Sequence, residues 1–239
     1  MDIDFSEKVV LVAGGTGGLG RAVTLAFLAH GARVAVTWRR EDEFLALKNA
    51  AAEHAARLAG FQVNVTGTRE TLNLVDRILS RWNRLDVLAN TVGGYAGGIP
   101  LWELEPGIFE RMLDLNLRAS YALARAVVPA MKAQKSGAIV NVAAKAAWDH
   151  AAGASAYAAS KAAAVALMDS LAADLAGSGV RVNSVLPSII DTAANRQAML
   201  HADFSKWPQP EAIAEVVLFL SSDAARVIHG ASIPVFGNG

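Results

Sequence analysis

The segment YAASK at 157–161 places together two side chains that could exchange a proton with a substrate. Tyr157 and Lys161 are four residues apart, so on a helix they lie on one face. A phenol has a reference pKa of about 10, and a fixed ammonium nearby, together with a bound cationic ring, is expected to favour the phenolate and lower this pKa. Because a YxxxK pair on its own is common, its significance depends on the elements around it.

Short β-branched runs alternate along the chain with longer stretches of helical period. The runs that predict strands are 9–13, 33–37, 61–65, 85–90, 138–142, 180–186 and 233–236. The stretches that predict helices are 18–29, 41–59, 69–82, 106–132, 156–176 and 211–221. Most of these strands are continuously apolar, which is typical of a sheet covered on both faces. The pattern predicts an α/β fold, a Rossmann-type doubly wound parallel sheet of about seven strands with helices on both faces.

Length and composition favour one domain over residues 1–239, or at most a domain with a small lid. With 22 basic and 22 acidic residues, the chain has no electrostatic reason to bind nucleic acid or an anionic membrane. It contains no cysteine, and its five histidines lack ligand spacing, so no metal site is expected. The acidic start is unlike a targeting peptide, and no apolar run approaches about 18 residues. We therefore expect a cytoplasmic protein.

The glycine-rich stretch AGGTGGLG at 13–20 lies between the first predicted strand and the first helix. Gly14, Gly18 and Gly20 would permit a tight turn and the close approach of a pyrophosphate to the helix N-terminus. A buried strand before it, an amphipathic helix after it and a second strand ending about 20 residues later supply the required context. The alternative is an ordinary tight β-α turn.

The stretch VTWRRED at the end of the second predicted strand bears on the choice of dinucleotide. An NAD enzyme usually has an acid there for the ribose 2′-hydroxyl, but this chain has Trp38, Arg39 and Arg40. A guanidinium suits a 2′-phosphate in charge and planar geometry. NADP(H) is therefore the preferred cofactor, with NAD(H) possible. The alternative is that both arginines are solvated and pair with Glu41 or Asp42.

Together these motifs resemble the short-chain dehydrogenases/reductases over essentially the whole chain. The matching segments are AGGTGGLG, DVLANTVGG, LDLNL, GAIVNVAA, YAASK and VNSVLPSIIDT, at 13–20, 86–94, 113–117, 137–144, 157–161 and 182–192. The resemblance implies an NAD(P)-dependent oxidoreductase that acts on a small molecule. It also implies a homodimer or homotetramer.

The resemblance further implies roles for individual residues. Tyr157 would donate the proton, Lys161 would adjust the pKa of Tyr157 and hold the nicotinamide ribose, and Asn116 would hold a water in a relay to Lys161. Residues implied at the cofactor are Gly14, Thr16, Gly18, Leu19, Gly20, Arg39, Asn64, Val65, Asn90, Gly93, Tyr157, Lys161, Pro187, Ile190 and Thr192.

The chain departs from the family's usual pattern most clearly at Ala144. This residue lies thirteen positions before Tyr157, where most members have the serine that binds the substrate oxygen. Losing one such donor typically costs about 10²–10³ in rate. Neither Ser155 nor Ser160 is expected to replace it, since each should project elsewhere from the helix. Smaller departures fall at Ala13, Thr91 and Ser188.

Three segments are similar to one branch of the family, the dihydropteridine reductases, which lack this serine. They are GGYAGG at 93–98, AAKAAWD at 143–149, and LPSIIDTAANRQAMLHADFSKWPQPE at 186–211. Arg39 departs from that branch, which often has an acid there and uses NADH. The similarity implies a substrate-loop segment at 192–210. It also implies substrate-binding positions at Tyr95, Ala144, Lys145 and Trp148.

The predicted function is hydride transfer to a small, flat, electron-poor substrate, and the best prediction is a quinonoid dihydropterin. Such a substrate has no ketone oxygen on which charge must build, so the serine is less necessary. Two alternatives remain: a carbonyl or 3-oxoacyl reductase, and a non-catalytic NADP(H) sensor. Tyr95, Trp148 and Trp207 are also consistent with hydrophobic plugs, and Lys145 with a solvated surface lysine.

Overall fold

A computed structural model of the chain describes residues 3–237. The strands are β1 (Val9–Ala13), β2 (Arg33–Trp38), β3 (Leu58–Gln62), β4 (Val87–Asn90), β5 (Gly137–Val142), β6 (Val180–Pro187) and β7 (Ser232–Val235). They form one seven-stranded sheet in the order β3-β2-β1-β4-β5-β6-β7, with parallel neighbours throughout. The strand order reverses between β1 and β4, so a ligand crevice is expected at their carboxyl ends.

The helices cover both faces of this sheet. They are α1 (Gly18–Ala29), α2 (Glu41–Ala50), α3 (Thr68–Trp82), α4 (Pro106–Met112), α5 (Ala119–Gln134), α6 (Ser155–Asp174), α7 (Ala193–Ala198) and α8 (Pro210–Ser221). One apolar cluster joins α1 and α8 to one face, and a second joins α3, α5 and α6 to the other. Val10 and Leu11, neighbours in β1, belong to opposite clusters because strand side chains alternate. The predicted doubly wound Rossmann-type fold is confirmed.

The prediction of a helix at 41–59 and a strand at 61–65 is wrong in its bounds. Helix α2 ends at Ala50, a 3₁₀ segment covers Ala52–Arg57, and residues 58–62 pair with β2. Helix propensity is high in this alanine-rich run. However, Ala52 has a φ of 46°, outside the right-handed region, and pairing with β2 fixes the strand three residues early.

Two further segments differ from the sequence prediction. The predicted helix at 106–132 is interrupted by a π-helical segment, Leu113–Arg118, between α4 and α5. The predicted irregular segment at 192–210 contains helix α7, which Thr192 caps by accepting a hydrogen bond from the Asn195 N–H at 3.2 Å. Among residues 3–237, no helix has both the length and the apolar character needed to cross a membrane.

Candidate active site

The turn after β1 is shaped to accept phosphate groups. Gly14 has a φ of +76°, a conformation that favours glycine. A Cβ at Gly20 would lie 2.0 Å from the Gly14 carbonyl oxygen, so α1 approaches the turn more closely than a side chain allows. Within residues 3–237, no side chain caps the N-terminus of α1, and Gly17 is exposed there. Its free N–H groups and dipole therefore fit the pyrophosphate of a dinucleotide.

Two threonines hold this turn in place. The Thr91 hydroxyl donates to the Ala13 carbonyl at 2.7 Å, and the Thr37 hydroxyl accepts from the Gly14 N–H at 2.9 Å. The turn is thus bonded to β2 on one side and to the residue after β4 on the other. The chain departs from the family's usual pattern at both Ala13 and Thr91. Because the Thr91 hydroxyl bonds to the Ala13 carbonyl, these two departures belong to one local arrangement.

The carboxyl ends of β2 and β3 carry the residues that the sequence predicts at the adenosine of the cofactor. Arg40 bonds to Asp42 at 2.6 Å, as the alternative for the arginines expects. Arg39 is exposed, and its guanidinium makes no hydrogen bond or ion pair within the described part of the chain. Asn64 and Val65 follow β3 and do not lie within it, which puts them beyond its carboxyl end. Arg39 therefore remains available to an anionic ligand.

A buried polar network connects β4, β5 and the π-helical segment. The Asn90 amide donates to the Ser120 hydroxyl at 3.0 Å and to the Asn141 side-chain oxygen at 2.8 Å. The Ser120 hydroxyl donates to the Asn116 carbonyl at 2.9 Å. All four residues are buried. Sequence analysis identified Asn90 and Asn116 but missed Ser120 and Asn141, although a polar residue in the apolar run AIVNVA was an available signal.

The Asn116 side chain joins the glycine-rich loop after β4 to α6. Its amide donates to the Gly94 carbonyl and to the Ser160 hydroxyl, both at 3.0 Å, and its oxygen accepts from the Gly94 N–H at 3.0 Å. Ser160 in turn donates to the Tyr157 carbonyl at 2.8 Å. Because its hydroxyl is engaged in this way, Ser160 does not replace the missing serine. The Ser155 hydroxyl is buried and has no hydrogen-bond partner within residues 3–237.

Lys161 is buried where three predicted site residues meet. Its ammonium donates to the Val142 carbonyl at 3.0 Å. A Cβ at Gly93 would lie 3.0 Å from the Lys161 Nζ and 3.0 Å from the Asn116 Oδ1. Glycine at 93 therefore leaves room for both polar groups. Burial lowers the pKa of Lys161 to about 8.

The Tyr157 ring packs edge-on against Tyr95, with ring centroids 4.9 Å apart and planes at 80°. Burial, followed by the neighbouring Tyr95 phenol, raises the pKa of Tyr157 to about 12. This is the direction in the polypeptide itself, where loss of solvation dominates, whereas the lowering predicted from the sequence concerns Tyr157 beside both Lys161 and an oxidised nicotinamide. The phenol is protonated at neutral pH, which suits a proton donor.

The segment after β5 contains the other positions predicted to face the substrate. Ala144 is buried and has extended backbone. The Lys145 ammonium lies 3.8 Å from the Asp149 carboxylate and 5.1 Å from the centre of the Phe236 ring. Trp148 is half exposed. Lys145 is thus loosely paired rather than purely solvated, and Trp148 leaves an apolar surface open to a ligand.

The segment after β6 returns to the cofactor turn. Pro187 ends β6, and Ile190 packs on the apolar cluster of α1 and α8. A Cβ at Gly18 would lie 2.7 Å from the Thr192 Cγ2, so these two residues are in close contact. The structure therefore brings the predicted nicotinamide-side residues next to the phosphate turn.

An internal ion pair fixes the rest of this segment. The buried Asp191 carboxylate accepts from Arg196 at 2.7 Å and from Gln209 at 2.6 Å. These hydrogen bonds lower the pKa of Asp191 to about 2. The Arg196 guanidinium lies over the Phe204 ring at 4.8 Å, and Phe204 packs on Trp207 at 4.9 Å. Trp207 thus has a packing role within the segment, in agreement with the hydrophobic alternative.

A glycine turn after β1, together with Tyr157 and the buried Lys161 on α6 of a doubly wound sheet, is the arrangement expected of an NAD(P)-dependent oxidoreductase. The sequence comparison identifies the family. Residues 8–202 match the profile of the short chain dehydrogenases, and the chain belongs to this family.

The similar proteins differ in the substrates that their names imply. D-threitol dehydrogenase of Mycolicibacterium smegmatis is 32% identical over 248 residues, covering 99% of this chain and 95% of its own. The 3-oxoacyl-[acyl-carrier-protein] reductase FabG of Thermotoga maritima is 29% identical over 238 residues and covers 96% of each chain. The structure of ElxO with NADP bound has a TM-score of 0.91 at 24% identity, covering 96% of this chain and 97% of its own. Family and fold are shared, whereas the substrate is not.

Proposed function

We propose that the chain is an NADPH-dependent reductase of a small, flat, electron-poor substrate, best represented by a quinonoid dihydropterin. The supporting observation is Ala144, which puts a methyl group at the position where the family usually has a hydroxyl. The residues proposed for proton transfer, Tyr157, Lys161 and Asn116, are all present. A ketone develops negative charge on oxygen during reduction and needs a donor there. A conjugated heterocycle that regains aromatic character on accepting hydride does not.

In this proposal each site residue has a separate task. The bound dinucleotide supplies the hydride. Tyr157 donates the proton from its phenol, which is protonated at neutral pH. Lys161 holds the nicotinamide ribose and keeps a positive charge near the phenol, and Asn116 orders α6 against the glycine-rich loop. Tyr95 and Trp148 offer exposed aromatic surface for a flat substrate.

The preference for NADPH rests on Arg39, which is exposed and free of internal partners within residues 3–237. A guanidinium in this position suits a 2′-phosphate. Asn64 and Val65 complete the adenosine side.

We further propose a single domain over 1–239, with residues 192–210 as its substrate segment. The chain would act in the cytoplasm as a homodimer or homotetramer.

A carbonyl or 3-oxoacyl reductase is the second candidate. It is supported by the name of the Thermotoga maritima relative, which matches this chain over nearly its whole length. Against it stands the methyl group of Ala144, since both substrates of this class have a carbonyl oxygen on which charge develops.

The deciding experiment compares substrates side by side with the purified wild type. NADPH oxidation is followed with quinonoid dihydropterin, generated in the assay, and with a panel of ketones and a 3-oxoacyl thioester. Rates without enzyme are subtracted, because the dihydropterin also reacts chemically. We expect efficient turnover of the dihydropterin and poor turnover of the panel. Good reduction of the ketones or the thioester, with none of the dihydropterin, would overturn the proposal.

The rate of reduction should fall as the pH rises through about 8. Lys161 loses its proton there, because burial lowers its pKa to about 8, whereas Tyr157 stays protonated up to about 12. The measurement is kcat/KM against pH from about 6 to about 10, which reports the ionisations of the free enzyme. In Lys161→Arg, whose guanidinium stays charged, the alkaline decline should disappear. A decline of the same shape in that variant would assign it to another group.

A further inference from the structure

The cofactor turn and the start of α2 are joined by a hydrogen bond that the proposed chemistry does not require. Thr16, in the turn after β1, donates from its hydroxyl to the Glu43 Oε2 at 3.2 Å. Glu43 lies in the first turn of α2, directly after β2. The other oxygen of this carboxylate is 3.7 Å from the Arg40 Nε, and the Glu43 side chain is 42% exposed. An accessible carboxylate therefore lies beside the cofactor turn, just beyond the carboxyl end of β2.

The carboxyl end of β2 is where the adenosine ribose of a dinucleotide is bound in a doubly wound sheet of this order. A carboxylate there can accept hydrogen bonds from ribose hydroxyls, which favours a dinucleotide without the 2′-phosphate. It also repels a phosphate at the same point. Glu43 and Arg39 therefore act on the same part of the ligand in opposite directions.

Acidic residues after β2 offset the positive charge of Arg39 and Arg40. Residues 39–43 contain two arginines and three acids, so this stretch has a net charge of −1. Arg40 is already bonded to Asp42 at 2.6 Å and lies near Glu43. Only Arg39, among the arginines of this stretch, is left without a partner inside residues 3–237. Residues 39–43 thus contain one free guanidinium, that of Arg39, and one accessible carboxylate beside the cofactor turn, that of Glu43.

We propose that Glu43 is a second coenzyme-selecting residue, which accepts the ribose hydroxyls of NAD(H) and weakens the preference for NADP(H) that Arg39 creates. The chain accordingly accepts NAD(H) as well, and its preference for NADP(H) is smaller than Arg39 alone would give. This inference rests on cofactor binding by the family and is independent of the substrate.

The test measures binding of two cofactor fragments, so no turnover is involved. Adenosine 2′,5′-bisphosphate and adenosine 5′-monophosphate are titrated into the wild type, Glu43→Gln and Glu41→Gln by calorimetry. Glu41→Gln is the matched control, because it removes the same charge from the same helical turn. The Glu41 side chain makes no hydrogen bond or ion pair within residues 3–237, whereas Glu43 contacts Thr16.

In Glu43→Gln, affinity for the bisphosphate relative to the monophosphate should rise about threefold to fivefold, the upper part of the range expected for removing one like charge at a partly exposed site. In Glu41→Gln the ratio should change less than about twofold, and Arg39→Gln should move it in the opposite direction. Equal shifts in both glutamate variants, or none in Glu43→Gln, would overturn the inference. Because the fragments are not reduced, either result leaves the substrate proposal to its own test.

Discussion

Replacing Tyr157 by phenylalanine is expected to lower kcat for reduction by about 10²–10⁴-fold, the usual contribution of a positioned proton donor. The change removes the ionisable oxygen and retains the ring that packs against Tyr95. The Tyr157 hydroxyl forms no hydrogen bond within residues 3–237, so its loss leaves no buried partner unsatisfied. Stopped-flow measurement of hydride transfer, with the dissociation constant of NADPH determined separately, separates chemistry from binding.

The matched control is Tyr121→Phe, which removes a phenol from an exposed position on α5. It should leave kcat and the dissociation constant of NADPH close to those of the wild type. If Tyr157→Phe kept more than about a tenth of the wild-type kcat, the proton would have to come from solvent or another group. The assignment of Tyr157 as donor would then be wrong, even if the substrate proposal held.

Introducing serine at position 144 is expected to raise kcat/KM for a simple ketone by about 10²-fold. Losing one donor to a developing oxyanion typically costs about 10²–10³, so restoring one should regain part of that factor. Ala144 is 7% exposed and extended, and a hydroxyl adds only one oxygen to its side chain. Turnover of the dihydropterin should change less than about threefold, since no charge develops on an oxygen there. The measurement is kcat/KM for both substrates in both proteins.

Ala143→Ser is the control for this gain. Ala143 is buried at the same strand end, but successive side chains on extended backbone point to opposite sides. Its hydroxyl should therefore give no gain with ketones, and thermal unfolding checks that both variants fold. Equal ketone rates in Ala144→Ser and the wild type would show that the hydroxyl is not what limits this reaction. The argument from Ala144 to the substrate class would then fail.

Local patterns were sufficient for much of the fold. The bounds of β1 and α1 agree with the sequence prediction because a continuous apolar run, a glycine turn and an amphipathic period each depend on neighbouring residues only. The alternation of strands and helices likewise predicted a parallel sheet covered on both faces. The start of β3 could not be predicted in this way, because pairing with β2 overrides the helix propensity of an alanine-rich run.

In the candidate site, too, some features follow from the local sequence and others only from the tertiary structure. The sequence by itself determined which groups are present: the glycine turn, Tyr157, Lys161 and the alanine at 144. The tertiary structure decided what surrounds them, since burial and long-range hydrogen bonds depend on segments far apart in the chain. Desolvation raises the pKa of Tyr157 in the polypeptide itself, and local spacing does not reveal this burial. The contact of Thr16 with Glu43 joins two separate turns, and only the fold brings them together.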